Sequence, residues 1–492
     1  MRTKLIPNFI PDLTIRFKIK MTDTSKSLGT APILSLLAKY CIPSVLAMLV
    51  QVLYTFVDSI FIGHFIGHHG LAAITLVFPI LVFSSGFGML VGVGACSSIS
   101  LLLGQRRLEE AEKTLGNAFS LIFLISSIMT ITLLTLGTIF VNCSEVVPEV
   151  QRMAKTFLWI SVSFGILPSL MFGLNNIIRV QGNPKIAMGS IMLGFILNSL
   201  FNPLFIGVFK WGVAGSALAT SLAQGITTIW ILCFLTSSKS LLKLKWKNMP
   251  LNWKICGSIL SIGLAPFLAQ SASSLQGLFL NLQLEHYGQE VALTISGIIY
   301  RIALIIFVVV LGLYQGAQPI LGFNYGARQF ARVLKTWRLV ILISSIWCFL
   351  TVGFVILFPL RTMAFFTDLT PEISEICVLA IRASLFMCFL MGFQVCVSQY
   401  FQTIGKPKLS IFLSLTRQVI FMIPAIFTLP IIFGHLGFQP LSGIWFSYVI
   451  SDMLAFSLAA FFFFRESRLL KTGKISSKTP QIELDNEPWG IN

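Results

Sequence analysis

Two carboxylates stand where a carboxylate is expensive. Asp58 and Asp452 each lie deep within long apolar stretches. An aspartate at the centre of a bilayer costs about 2.5–3.5 kcal/mol on insertion scales. Asp58 also has polar company. In VQVLYTFVD, Gln51, Tyr54 and Asp58 are separated by three and four residues, so a helix puts them on one face. In ILNSLFNP, Asn198 and Asn202 are four apart, just before Pro203, and Thr220 follows in the next stretch. A carboxylate among amide and hydroxyl oxygens suits Na⁺, and a carboxylate with few water neighbours can instead carry a proton. The competing explanation is a hydrogen-bond network that only packs helices. Asp452 is a second buried acid, with a simpler role as the partner of Arg417 or another buried cation.

Other polar groups inside the apolar stretches are candidates for a substrate cavity: Gln51, Asn176, Ser274, Gln276, Asn281, Arg301, Gln315 and Arg417. The five histidines, His64, His68, His69, His286 and His435, fall between stretches, where GHFIGHHG reads as a glycine turn rather than a metal site. The nine cysteines are scattered without a CxxC; Cys143 and Cys377 lie near one face and could in principle pair. GFGMLVGVGAC resembles a nucleotide-binding glycine run, but it sits in a hydrophobic span, and Gly88 and Gly92 form GxxxG, which fits close helix packing. No clustered acid–base or metal set points to an enzyme.

The elements that must hold these residues are membrane helices. Of 492 residues, 55% are hydrophobic and 11% charged, against about 25% charged in soluble domains. Twelve apolar runs reach spanning length, at 33–62, 73–103, 115–140, 154–178, 186–208, 212–236, 256–284, 291–320, 336–359, 376–402, 409–433 and 440–464. A barrel would show shorter alternating segments. The net charge of +17 is distributed by topology. Of 35 Lys and Arg, 26 fall before the first run, in alternate loops or in the tail, and Lys39 and Arg338 lie just inside runs at that same side; the opposite loops hold Arg152, Lys155, Lys210 and Arg361. That is the positive-inside pattern with both termini cytoplasmic, and it speaks for anionic lipid as a partner rather than nucleic acid. Residues 1–30 are a basic lead-in whose Phe9–Lys20 stretch is amphipathic, and 466–492 are a polar tail. Pro43, Pro79, Pro168, Pro203, Pro266, Pro319 and Pro424 punctuate the runs and permit kinks.

The chain also repeats itself. Gly104 opens GQRRLEEAEKT and Gly326, 222 residues on, opens GARQFARVLKT. Gly182 opens GNPK and Gly405, 223 on, opens GKPK; Pro43 and Pro266 share that offset. The units are a six-helix N-lobe at 31–236 and a six-helix C-lobe at 254–465, joined by a basic linker at 237–253. Six is even, so the halves enter from one side and are parallel repeats around a cleft. The repeat exposes a broken symmetry. Fifteen residues after Pro43 stands Asp58; fifteen after Pro266 stands Asn281. Asp452 aligns with Gln224.

The segments VDSIFIGHFIG, LAAITLVFPI, NPLFI, GVAGSALAT, YQGAQPILGFNYGA, SLTRQ and SGIWFSYVISD, with the two GxPK loops, resemble multidrug and toxic compound extrusion (MATE) transporters over about 31–465, and most closely the MepA-like branch. The resemblance implies twelve helices in two lobes and export of amphiphilic, often cationic compounds driven by H⁺ or Na⁺. It implies a cation site at Asp58, Tyr54, Asn198, Asn202 and Thr220, with Asn202 where the family often has aspartate. The family's C-lobe glutamate in the seventh helix has no match among Ser273, Ser274, Gln276 and Asn281; Glu285 lies only near the outer end. The expectation is therefore an all-α polytopic antiporter of the plasma (inner) membrane. It acts as a monomer on small amphiphilic or cationic substrates, with no cofactor beyond H⁺ or Na⁺. A lipid-linked precursor flippase is the alternative, and an intramembrane enzyme a remote one.

Overall fold

The computed structural model describes residues 23–144, 146–364 and 371–473. The amphipathic Phe9–Lys20 stretch and the end of the tail lie outside them.

A short helix α1 (Asp23–Thr30) leads into α2 (Ile33–Phe65), α3 (His68–Gly104), α4 (Leu108–Cys143), α5 (Pro148–Ser163) and α6 (Ile166–Val180). Helices α7 (Pro184–Val208), α8 (Gly212–Thr236), α9 (Trp253–Gln289) and α10 (Val291–Gly326) follow. Then come α11 (Phe330–Leu357), the short α12 (Pro359–Ala364), α13 (Ile376–Thr403), α14 (Pro407–His435) and α15 (Pro440–Thr472). Eleven of these are long and apolar enough to cross a membrane; α5 and α6, bent by 47° at their junction, make a twelfth span as a pair. The expected fold class is thus the observed one. The helices overrun the apolar runs that define them, because their polar ends remain helical beyond the hydrocarbon length.

The repeat is written into the backbone. Gly67 and Gln289, Arg106 and Arg328, and Gly182 and Gly405 all have positive φ, at offsets of 222, 222 and 223 residues. In both GxPK loops the glycine ends one helix in a left-handed turn, and Pro184 or Pro407 starts the next. Proline suits a first helical position because its missing N–H would have no partner there.

The lobes meet along glycines. A Cβ on Gly94 would strike the carbonyl of Ile259, one on Gly263 the carbonyl of Leu90, and one on Gly316 the backbone of Cys41. The Gly94–Gly263 and Gly316–Cys41 approaches are images of one another, since 94 and 316, and 41 and 263, are both 222 apart. Gly104 and Gly326, the residues that open the duplicated loops, lie directly against each other, so the pseudo-two-fold axis runs between them. All these contacts fall in the helix halves next to the basic loops. Within the N-lobe, Gly88 and Gly92 press onto Ser169 and Gly173 of α6, so the glycine run serves helix packing.

The lead-in segments are docked too, each on the opposite lobe. Arg332 and Asn324 donate to the carbonyl of Leu28 in α1. In the linker, Asn117 of α4 accepts from the Asn252 N–H at 2.6 Å and donates to the Asn248 carbonyl, while Gln181 accepts from Leu242 and Ser240. The tail differs from expectation at its start: α15 continues to Thr472, and Lys406 donates to the buried Glu466 at 2.8 Å. The nine cysteines are free thiols, with Cys377 buried and Cys143 exposed.

Candidate ion-coupling site and inter-lobe cavity

The N-lobe acid sits where three helices converge. Asp58 is on α2, Asn198 and Asn202 on α7 and Thr220 on α8. Asn202 donates from Nδ2 to Asp58 Oδ1 at 2.6 Å and to Asn198 Oδ1 at 3.0 Å. Asn198 donates from Nδ2 to Thr220 Oγ1 at 2.9 Å. Both asparagines are fully buried. The Tyr54 hydroxyl lies beside Asp58 and Thr220. All five residues that the resemblance assigns to a cation site are therefore in one cluster. Gln51, two turns before Asp58 on α2, is half-buried.

Local structure explains the alignment. Pro203 cannot donate to the helix ladder, and the segment Pro203–Val208 widens into a π turn immediately after Asn202. Two side-chain atoms in the cluster are left over, the Tyr54 hydroxyl and Asn202 Oδ1. Asn202 Oδ1 is buried with no hydrogen-bond partner. A buried acceptor without a donor costs about 1–3 kcal/mol. It lies beside a carboxylate, in a group otherwise rich in oxygens, so the set fits a small cation or a proton-bearing carboxyl.

The C-lobe acid is held differently. Asp452 on α15 is buried and accepts from Arg417 Nε at 2.5 Å. Arg417 belongs to a second π turn, Thr416–Phe421, in α14. Next to it Gln418 donates to Ser273 of α9 at 2.7 Å. Asp452 thus takes the simpler of its two expected roles.

A cavity lies at the junction of the lobes. Met89, Asn176, Pro266, Tyr314, Gln315, Gln318 and Gln399 line it. Of the residues expected to face substrate, it unites Asn176 and Gln315 from opposite lobes. Ser274, Asn281 and Arg301 are exposed elsewhere on α9 and α10, Gln276 is half-buried on α9, and Arg417 is engaged by Asp452.

One residue departs from its expected place. Arg179 counts in the sequence as one of the cations of an alternate loop. In the structure α6 extends through it, and it is buried at the lobe junction. It donates to Gln315 Oε1 across the lobes at 2.6 Å and to Asn175 Oδ1 at 3.1 Å. Its string position just before GNPK conceals this, because its burial depends on the other lobe.

The MatE family model matches this chain twice, over residues 43–204 and 266–428, well over half of its length. The chain belongs to the MatE family. The two matches start 223 residues apart, the offset found in the duplicated loops. Among similar MATE proteins is the multidrug export protein MepA of Staphylococcus aureus (strain MSSA476), 25% identical over 434 residues, covering 87% of this chain and 93% of that protein. MepA of Staphylococcus haemolyticus is 23% identical over 439 residues, covering 89% and 94%. The structure resembles a MATE multidrug resistance transporter in an outward-facing conformation, with a TM-score of 0.85, 25% identity and coverage of 92% and 100%. A MOP superfamily transporter from Pyrococcus furiosus gives the same score and identity, with coverage of 92% and 99%.

Proposed function

We propose that this MATE chain is a secondary active multidrug efflux transporter of the plasma (inner) membrane, exporting amphiphilic or cationic compounds in exchange for H⁺ or Na⁺. The lobes at 31–236 and 254–465 rock about the glycine-packed junction. The basic loops and both termini face the cytoplasm, so lobes closed at that end leave the cleft open to the outside. The MepA relatives, multidrug export proteins by name, support the export reading.

The observation that carries the coupling is the unpartnered Asn202 Oδ1 beside Asp58. When bound, a cation supplies the positive charge that the carboxylate lacks, and Asp58, Asn202, Asn198, Thr220 and Tyr54 would hold it. The chain's own groups do the rest. Asn198 and Asn202 orient the carboxylate, and α2 packs it against α7 and α8. Ion and substrate compete only if they prefer different lobe arrangements. One charge crossing 100 mV yields about 2.3 kcal/mol, roughly fifty-fold concentration under tight coupling.

The test is transport of a fluorescent amphiphile into inverted vesicles or out of proteoliposomes under an imposed Na⁺ or pH gradient. The wild type should accumulate dye against its gradient, and Asp58→Asn should not. Undiminished gradient-driven transport in Asp58→Asn would remove Asp58 from the coupling. Lipid scrambling without transport of any dye would instead favour a flippase.

A further inference from the structure

Arg179 is a fully buried cation without an anion. Among the described residues every ion pair is made elsewhere, and its hydrogen bonds go to two neutral amide oxygens. Arginine is almost never fully buried unless paired, and an uncompensated buried charge is costly. Its guanidinium holds Gln315 by the oxygen. That turns the Gln315 Nε2 donors away from Arg179, and among the described residues they meet only the weak Met48 sulfur, at 3.7 Å. Gln315 lines the cavity, and no lining residue is a carboxylate.

The cleft wall has the same sign. On α10, Gly312 faces Val45 and Gly316 faces Cys41, so that helix face points at the N-lobe. Arg301 is 11 residues before Gly312 and 14 before Gln315, about three and four helical turns. It lies on the same face, exposed, where the helix runs on from the glycine contacts. The acids do not offset it. Asp58 is engaged on α7, Asp452 by Arg417, and Glu285 is exposed near the far end of α9.

We infer that the inter-lobe cavity selects soluble amphiphiles with a single oxyanion head, read by Arg179 through Gln315, over their cationic counterparts. This rests on the export reading above and narrows its substrate class. Met89, Pro266, Leu311 and Tyr314 line the same cavity; its free volume of about 20 Å³ admits little more than a water, so the apolar body of the ligand enters between these side chains only as the lobes separate. The head supplies the missing counter-charge, and Gln315 donates to it while Arg179 polarises the amide. Lobe separation at the basic end breaks the Arg179–Gln315 bond and presents the guanidinium itself.

The test uses a xanthene dye with a free carboxylate and its cationic ethyl ester, which share ring system and size. Binding to the purified full-length protein in neutral detergent is followed by fluorescence anisotropy. The carboxylate dye should bind about tenfold tighter, the equivalent of about 1.4 kcal/mol. Arg179→Gln should abolish the preference, Arg179→Lys should keep part of it, and Arg301→Gln should lower it a few-fold while remaining folded. Arg382→Gln, which removes an equal charge near the Ile356 carbonyl, should leave the ratio unchanged. Equal or tighter binding of the ester by the wild type overturns the inference, as does a preference that survives both Arg179→Gln and Arg301→Gln. Displacement of the dye by short-chain phosphatidylglycerol at lower concentration than by a soluble carboxylate would assign the site to lipid and also overturn it. The two readings fail separately. Gradient-driven export of the ester with no carboxylate preference sinks only the inference, whereas a binding preference with no export of either dye sinks only the transport reading.

Discussion

Each lobe sets one aspartate beside a π turn in its fifth span, half-buried in the N-lobe and buried in the C-lobe, and the two acids are solvated in opposite ways. Asp58 is held by the amide of Asn202, itself linked to Asn198 and through it to Thr220. Asp452 is held by the guanidinium of Arg417. Neutral donors can follow a carboxylate through a change of its ion, because none of them carries a charge that must be rebalanced. A guanidinium cannot: removing the negative charge leaves a buried cation behind. The N-lobe arrangement is therefore suited to exchange and the C-lobe arrangement to permanence; the lobes repeat one unit, but the two acids are not images of one another, since Asp58 aligns with Asn281 and Asp452 with Gln224.

The largest expected effect follows directly. Asp452→Asn leaves Arg417 buried and unpaired, and breaking a buried pair from one side costs about 3–5 kcal/mol. Asp58→Asn keeps an acceptor for Asn202 and should cost about 1 kcal/mol. Unfolding of both variants in the same detergent measures the difference. Asp452→Leu combined with Arg417→Met should regain most of the loss, since neither charge then remains. Equal stability of the two single variants would erase the distinction between the acids.

Much of this contrast is visible in the string of residues, for a definite reason. Helical spacing puts Tyr54 and Asp58 on one face and Asn198 and Asn202 on another, and the 222–223 offset shows which residues lack a counterpart. Local periodicity and repetition are properties of the chain itself. Arg179 is the opposite case. Its partner Gln315 is 136 positions away in the other lobe, and nothing in the spacing separates it from an ordinary loop cation. The π turns at Pro203–Val208 and Thr416–Phe421 are equally hidden, because only the packed helices reveal where the ladder widens. The glycines of the lobe junction look like common membrane-helix residues until the opposite carbonyls are in place.

A transplant sharpens the comparison at a smaller scale. Asn281 occupies the image position of Asp58, but the images of Asn198 and Asn202 are Phe421 and Ala425. A carboxylate placed there has no amides to orient it. The double variant Asp58→Asn/Asn281→Asp should therefore stay uncoupled, still short of the roughly fifty-fold accumulation that one charge and 100 mV allow. Recovery of gradient-driven dye accumulation in proteoliposomes would show that the lobes are interchangeable for coupling.

Asn202→Asp tests which ion the neutral cluster favours. A second carboxylate at this position removes the donor to Asp58 and adds a like charge next to it, which Na⁺ relieves better than a single proton can. Replacing K⁺ by Na⁺ should stabilise this variant by about 1.4 kcal/mol more than the wild type, if its Na⁺ affinity rises tenfold with the site near saturation. The change is read as a rise in melting temperature with Na⁺. An identical rise in the wild type would mean that one carboxylate already suffices for Na⁺.

The smallest effect probes the outer edge of the cluster. Thr220 accepts from Asn198, which fixes the amide so that its oxygen meets Asn202. Thr220→Val keeps the shape and removes the acceptor, at about 1 kcal/mol. Asn198 is then free to turn, and Asn202 loses the partner that aims its second N–H. The ion should bind about fivefold more weakly, while dye transport at saturating ion stays near the wild-type rate. Half-saturation for the coupling ion, measured from initial transport rates, separates this from a packing defect, which would lower the rate at every ion concentration. An unchanged half-saturation would confine the functional cluster to Asp58 and Asn202, and the chain of amides behind them would then be packing alone.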